Sequence, residues 1–294
     1  MRMLIILLMC AVVFPGWGQT LQGIVDIHAH SHPDSTPRSI DALDLAKLAK
    51  ENGYRGVLLK NHFMPTAQMA YLLNRLYPQV AFRGGVVLNR PLGGINPAAV
   101  ERLAAMEGGA GKVVWMPTFD SENQVKKDRE NRPFVPVSKN GKLLPEVLGV
   151  LDAIAKHDLV LATGHSTPKE VLALIEEGRK RGVKRIVVTH PMQHPVRMSE
   201  AEIRRAAELG AYLEFAYLGF YNPKEGHTIG DYAKAIRAAG TDRAILSSDL
   251  GQAGNPYHPE GMKAYFRLLG EHGYSEAEIE QMAKGNPARL LGLE

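Results

Sequence analysis

Residues able to hold a metal ion recur along this chain, and the first are His28 and His30, closing the run Ile24-Val25-Asp26-Ile27-His28-Ala29-His30. In a strand, residues i and i+2 point the same way, so two imidazoles at that spacing can grip one cation. A lone His-X-His is common on exposed strands, and its weight comes from partners. Lys60 and His62 follow, then His165 in Thr163-Gly164-His165-Ser166, His190 in Val187-Val188-Thr189-His190-Pro191, and Asp249 in Ser247-Ser248-Asp249-Leu250. Each has a duller reading as a loop cap or a solvated strand end. Of the 11 histidines in 294 residues, however, His28, His30, His62, His165 and His190 all fall at predicted strand ends. That concentration, with Asp249, points to a divalent-metal centre built from imidazole and carboxylate. His32 and His194 lie just past strand ends, within reach of a substrate. Glu214, in Tyr212-Leu213-Glu214-Phe215, would need a partner if it points inward, and is read as an acid behind the ligands. His258 follows at more distance, while His157 and His272 read as surface residues at helix ends.

The elements that must position these residues alternate. Strands are predicted at Ile24–His30, Gly56–His62, Val80–Leu88, Lys112–Pro117, Leu159–His165, Arg185–His190, Ala211–Tyr217 and Arg243–Asp249. Amphipathic helices are predicted at Ser39–Asn52, Thr66–Leu76, Pro97–Met106, Pro145–Lys156, Pro168–Arg181, Glu200–Leu209 and Thr228–Ala239, most of them closed by a glycine. Eight strands alternating with helices predict an α/β fold, a single-domain (β/α)8 TIM barrel, whose site lies at the carboxyl ends of the strands. A doubly wound sheet would want a glycine-rich phosphate loop after the first strand. Ala29-His30-Ser31-His32-Pro33 stands there instead. The long interval Phe119–Lys142 follows the fourth strand and is expected over the catalytic face, as a lid, a clamp or a solvated excursion.

Composition bounds the rest. Met1-Arg2, the apolar run Met3–Phe14 and Pro15-Gly16-Trp17-Gly18 read as a signal peptide over residues 1–18, cleaved after Gly18, with the barrel spanning 19–294. The expected location is secreted or periplasmic, with no stable membrane span after cleavage. Cys10 is the single cysteine, so disulfides and thiolate metal sites are excluded from the mature chain. A net charge of +4 without a basic stripe argues against nucleic acid and leaves a small-molecule substrate as the expected partner. A homo-oligomer is compatible with this composition.

The ordered set Asp26-X-His28-X-His30, His165, His190 and Asp249, with the tail Asn286-Pro287-Ala288-Arg289-Leu290-Leu291-Gly292, resembles the amidohydrolase superfamily of metal-dependent barrel hydrolases. The resemblance implies that His28, His30 and Asp249 bind a divalent metal, and that His165 completes this site or, with His190, holds a second ion. It gives Asp249 the proton transfer and His190 the holding of the attacking water or the polarising of the scissile group. One departure stands out. Many two-metal members bridge their ions with a carboxylated lysine or glutamate on the fourth strand, where this chain has Val113-Val114-Trp115-Met116-Pro117-Thr118. Lys60 is then a substitute bridge or a substrate-binding cation, with His62 on the same side. One ion is favoured over two, Zn2+ first and Mn2+ or Fe2+ next. The implied activity is hydrolysis of a C–N, C–O or similar bond. The alternatives are a metal-dependent decarboxylase, which would need an arginine in the pocket (Arg90, Arg129, Arg132 and Arg197 are candidates), and a non-catalytic binding barrel. Tyr217, Phe220 and Tyr221 are expected as aromatic walls or as loop packing.

Overall fold

A computed structural model describes residues 20–294, and the segment read as a signal peptide, with Cys10, lies outside the described residues. Eight short parallel strands form the sheet: β1 (Val25–Ala29), β2 (Gly56–Leu59), β3 (Ala81–Val87), β4 (Gly111–Trp115), β5 (Val160–Ala162), β6 (Arg185–Val188), β7 (Tyr212–Ala216) and β8 (Ala244–Ser247), each beside its successor. The ring closes where Ala29 bridges Leu250 in parallel, with hydrogen bonds from Asp249 N–H to His28 O (2.9 Å) and from His30 N–H to Leu250 O (2.9 Å). The expected eight-stranded barrel is therefore present, strand for strand.

Its layers follow from burial. Val25, Ile27, Leu58, Val113, Trp115, Val160, Ala162, Val187 and Ile245 form one cluster inside the barrel, and Ala288, Leu290 and Leu291 of the closing helix belong to it. That helix (Asn286–Leu291) is anchored by Asn286, whose amide donates to Thr241 O (2.8 Å) and Ala244 O (2.7 Å). The larger second cluster lies between strands and helices. It gathers the apolar faces of α1 (Ala42–Glu51), α2 (Ala67–Leu76) and α3 (Pro97–Ala104) with those of the helices that follow β5, β6, β7 and β8. All seven predicted helices are present, Pro145–Lys156 with its ends as expected and the others trimmed by one to three residues. Asp41, for example, accepts the N–H groups of Leu43 and Asp44 and so starts α1 three residues late.

The elements inside the long interval were not legible as such. The Phe119–Lys142 interval contains α4 (Glu122–Lys127), capped by Ser121, and a small hairpin pairing Ser138–Lys139 with Lys142–Leu143. A 14-residue helix, His258–Glu271, follows β8 and ends at His272. Among the described residues no helix is long and apolar enough to cross a membrane.

Candidate metal centre

The site begins with a defect in β1. Asp26 pairs with Val57 and Ala29 with Leu59, three steps against two, so β1 carries one extra residue. Val57 and Leu59 belong to the outer cluster, whereas Val25, Ile27 and Leu58 belong to the inner one. The bulge thus leaves Asp26 on the helix-facing side and turns His28 and His30 inward, above Ile27. Asp26 is fully buried and acts in closure: its Oδ1 accepts the N–H groups of Ser248 (3.0 Å) and His28 (3.2 Å). Burial raises its pKa to about 6, although those hydrogen bonds oppose the shift.

Inside the mouth, Asp249 Oδ1 lies 3.1 Å from His28 Nε2 and 3.1 Å from His30 Nε2. All three ligand atoms fall within 4.8 Å of one another, and all three residues are buried. Glu214 on β7 fixes the chemistry of His28. Its Oε1 accepts from His28 Nδ1 (2.8 Å) and Ser247 Oγ (2.8 Å), and its Oε2 from the His190 N–H (3.2 Å). The contact at Nδ1 orients the ring so that Nε2 faces Asp249. His28 Nε2, His30 Nε2 and Asp249 Oδ1 form a buried set of two imidazoles and one carboxylate, a donor set whose chemistry fits a divalent metal. Burial opposes ionisation of Asp249, yet His28 and His30 outweigh it and hold the carboxyl well below its usual range. Burial pushes His30 down to about 3 and His190 to about 4, so these two imidazoles stand neutral, the form in which an imidazole ligates a metal.

The remaining predicted residues fall in and around one cleft of about 320 Å³ over this cluster. Lys60 Nζ lies 3.0 Å from His28 Nε2 and 5.8 Å from the Trp115 ring centroid; burial brings its pKa down to about 8 against the pull of Asp249 and Glu214. His62 hydrogen-bonds Thr118 Oγ1 through Nδ1 (2.9 Å) beneath Phe119, whose ring centroid is 4.2 Å away. His165 reaches the cleft through Gly164, which has φ +60° and passes so close to β4 that a Cβ there would lie 2.2 Å from Met116 O. His165 Nδ1 contacts Gln124 Oε1 of α4 (2.7 Å), leaving a buried Nε2 without a partner. His190 and Asp249 sit at φ 25° and 51°, left-handed strain that non-glycine residues carry mostly at functional sites. His165 and His190 stand outside the three-residue cluster, their rings 5.0 Å apart.

Several expectations change here. His32 does not line the cleft; its Nε2 accepts the Arg38 N–H (3.0 Å). His194 lines it with Nε2 against Asp128 of the long loop (2.6 Å). Tyr217, Phe220 and Tyr221 pack on one another and on Tyr232 and Tyr265, and are absent from the lining. Arg90, Arg129, Arg132 and Arg197 are absent too, and the arginine that lines the cleft is Arg38. Gln193, which donates to Asp249 Oδ2 (3.1 Å), was not foreseen either. Gln193 follows His190 by three residues and Arg38 follows His30 by eight, which is the only signal the sequence held for them.

Residues 23–214 match the sequence profile described as a family of unknown function (DUF6282). The chain belongs to that family. No curated protein matches the sequence. Among solved structures, this DUF6282 barrel is similar to an amidohydrolase from Pseudomonas aeruginosa at TM-score 0.63 and 12% identity, over 93% of this chain and 96% of that one. A substituted organophosphorus hydrolase from Deinococcus radiodurans follows at TM-score 0.60 and 15% identity (93% and 94% covered). The 2,6-dihydroxybenzoate decarboxylase from Rhizobium follows at 0.55 and 16% (92% and 99% covered). At these identities the likeness establishes the fold: the DUF6282 chain has the same (β/α)8 barrel as these proteins.

Proposed function

We propose that this protein is a divalent-metal hydrolase of small molecules, with one Zn2+ held by His28, His30 and Asp249. The observation that carries the reading is the convergence of two Nε2 atoms and one carboxylate oxygen, with Glu214 locking His28 from behind. A divalent cation there supplies Lewis acidity and makes hydroxide available near neutral pH. The chain's own groups do the rest. Asp249 Oδ2, held by Gln193, is the base that takes the proton of the attacking water and passes it to the leaving group. His190 and His165, whose Nε2 has no partner among the described residues, line the same cleft and would hold the attacking water or polarise the scissile group, and Lys60 would stabilise negative charge developing beside His28. The hydrolase and decarboxylase neighbours bear on this reading as shared fold only.

Decarboxylation is the second reading, favoured by one observation: an arginine, Arg38, lines the cleft. The test is a panel of amide, lactone, phosphoester and aromatic acid substrates with Zn2+ or Mn2+ added. Hydrolysis that disappears in Asp249→Asn, while some metal is retained, supports the first reading. Release of CO2 from the acid without hydrolysis of any ester or amide refutes it. Residues 1–18 belong to the same proposal as an export signal, checked by whether the protein recovered from the periplasm starts at Gln19.

A further inference from the structure

Deepening that reading of the site, we propose that Arg38 is an anion-binding group of the cleft and that the substrate is a small organic acid whose carboxylate sits on it. The loop after β1 is built to hold this side chain. Its backbone is pinned by the Arg38 N–H to His32 Nε2 bond (3.0 Å). Its floor is tied by Asn61, whose amide donates to Ser31 O (3.2 Å) and Pro33 O (3.1 Å). Its guanidinium is fixed by Asp34, with Nε donating to Oδ2 at 2.8 Å and Nη2 at 2.6 Å from the same oxygen. Asp34 spends its other oxygen on the Ser35 N–H (2.7 Å), so it offers the guanidinium a single acceptor atom.

That leaves Nη1 and the far edge of the guanidinium for another acceptor. The Arg38 side chain is 3% exposed, Nη2 has no acceptor in line, and among the described residues the guanidinium makes no hydrogen bond beyond Asp34. Nη1 makes no hydrogen bond among the described residues, Arg38 lines the cleft, and a guanidinium matches the paired oxygens of a carboxylate. Lys60, the other cation of the lining, already lies in the field of Asp249 and Glu214. Arg38 answers to one carboxylate only. Across the ring, on the β4 side, Phe119 lines the same cleft at 38% exposure and offers an apolar surface. A cleft of about 320 Å³ stands at the small end of ligand pockets, which suits a compact acid with an apolar body.

The test uses metal-loaded protein and calorimetry with phenylacetate, phenylphosphonate and neutral phenylacetamide. Wild-type protein binds the anions more tightly than the amide. Arg38→Met weakens the anions about 10- to 100-fold, the range for a charged hydrogen bond, and leaves the amide and the metal content unchanged. Because Arg38→Met strands the buried Asp34, the same loss is expected in the paired variant R38M/D34N and, in part, in Arg38→Lys. Undiminished anion binding in R38M and R38M/D34N, with the metal or Lys60 then the holder, overturns the proposal. So does a wild-type protein with no preference for anions over the amide. Binding is read without turnover, so a protein that holds phenylacetate through Arg38 and hydrolyses nothing sinks the hydrolase reading alone.

Discussion

Replacing Glu214 by Gln removes one charge behind the metal ligands and changes almost nothing in shape. The carboxylate accepts three donors: His28 Nδ1 and Ser247 Oγ at one oxygen, and the His190 N–H at the other. A glutamine whose carbonyl keeps the first two must point its NH2 at the His190 N–H, donor against donor. The buried N–H then goes unsatisfied, at about 1–3 kcal/mol. If the amide flips, His28 loses its acceptor and with it the tautomer that leaves Nε2 free. Partners behind a metal-ligating histidine are typically worth 10- to 100-fold in affinity, or about 1.4–2.7 kcal/mol. With His28 and His190 both disturbed, Glu214→Gln belongs at the upper end, near 100-fold weaker. Competition for Zn2+ against a fluorescent chelator measures this, and melting of the metal-free variant separates lost affinity from lost fold. A variant that keeps wild-type affinity within threefold while folding normally would refute the assigned role of Glu214.

Further outcomes follow from the same geometry. Zn2+ at about 100 times its Kd should stabilise the protein by about 2.7 kcal/mol, and the rise in Tm should vanish in the H28N/H30N variant. One equivalent of Zn2+ per chain is expected by elemental analysis; two tight equivalents would contradict the three-ligand centre. Burial sets His258 and His190 at about 4 in the folded protein, whereas the unfolded chain protonates them near 6.5. Between those values the unfolded state binds more protons, so metal-free protein loses stability as pH falls from 6.5 to 4, by at most about 3 kcal/mol per histidine. His258→Leu should flatten that slope in urea titrations, and an unchanged slope would remove His258 from the account. Gly164→Ala, forced onto φ +60° and against Met116 O, should cost more than the usual penalty of about 1 kcal/mol and displace His165. A variant as stable as wild type by thermal melting would show that this strand end yields.

Much of this was legible because barrel geometry converts sequence order into spatial convergence. Strands of three to seven β-branched or apolar residues, punctuated by glycine, gave the ring, and the polar residues ending β1, β2, β5, β6 and β8 gave the mouth. Legibility failed where position depends on loops. Arg38 lies eight residues past His30, and only the staples from His32, Asp34 and Asn61 bring it back over the cleft. Gln193 looked like an ordinary loop amide until Asp249 was seen beside it. The bulge in β1 was hidden as well: alternation predicts that Asp26 and His28 share a face, and only the pairing with β2 separates them. His32 was misplaced for the same reason, since proximity in sequence to His30 says nothing about which way the chain turns.

Charge balance favours the single ion proposed above over a pair. A second divalent cation would have to lie toward His165 and His190, whose imidazoles stand outside the cluster and are driven toward neutrality by burial. Neutral imidazoles can ligate, but they do not offset the repulsion between two divalent cations a few ångströms apart in a buried cleft. In a two-metal centre that repulsion is relieved by an anionic bridge. Here β4 offers Trp115, an apolar ring, and above it stands Lys60, itself a cation 3.0 Å from His28 Nε2. Asp249 and Glu214 are the carboxylates in direct contact with His28, and the first ion and Lys60 already draw on both. The same arithmetic favours an anionic substrate: once the metal is in place, Arg38, Lys60 and the cation outweigh the carboxylates that face them, and a carboxylate arriving from solution restores the balance.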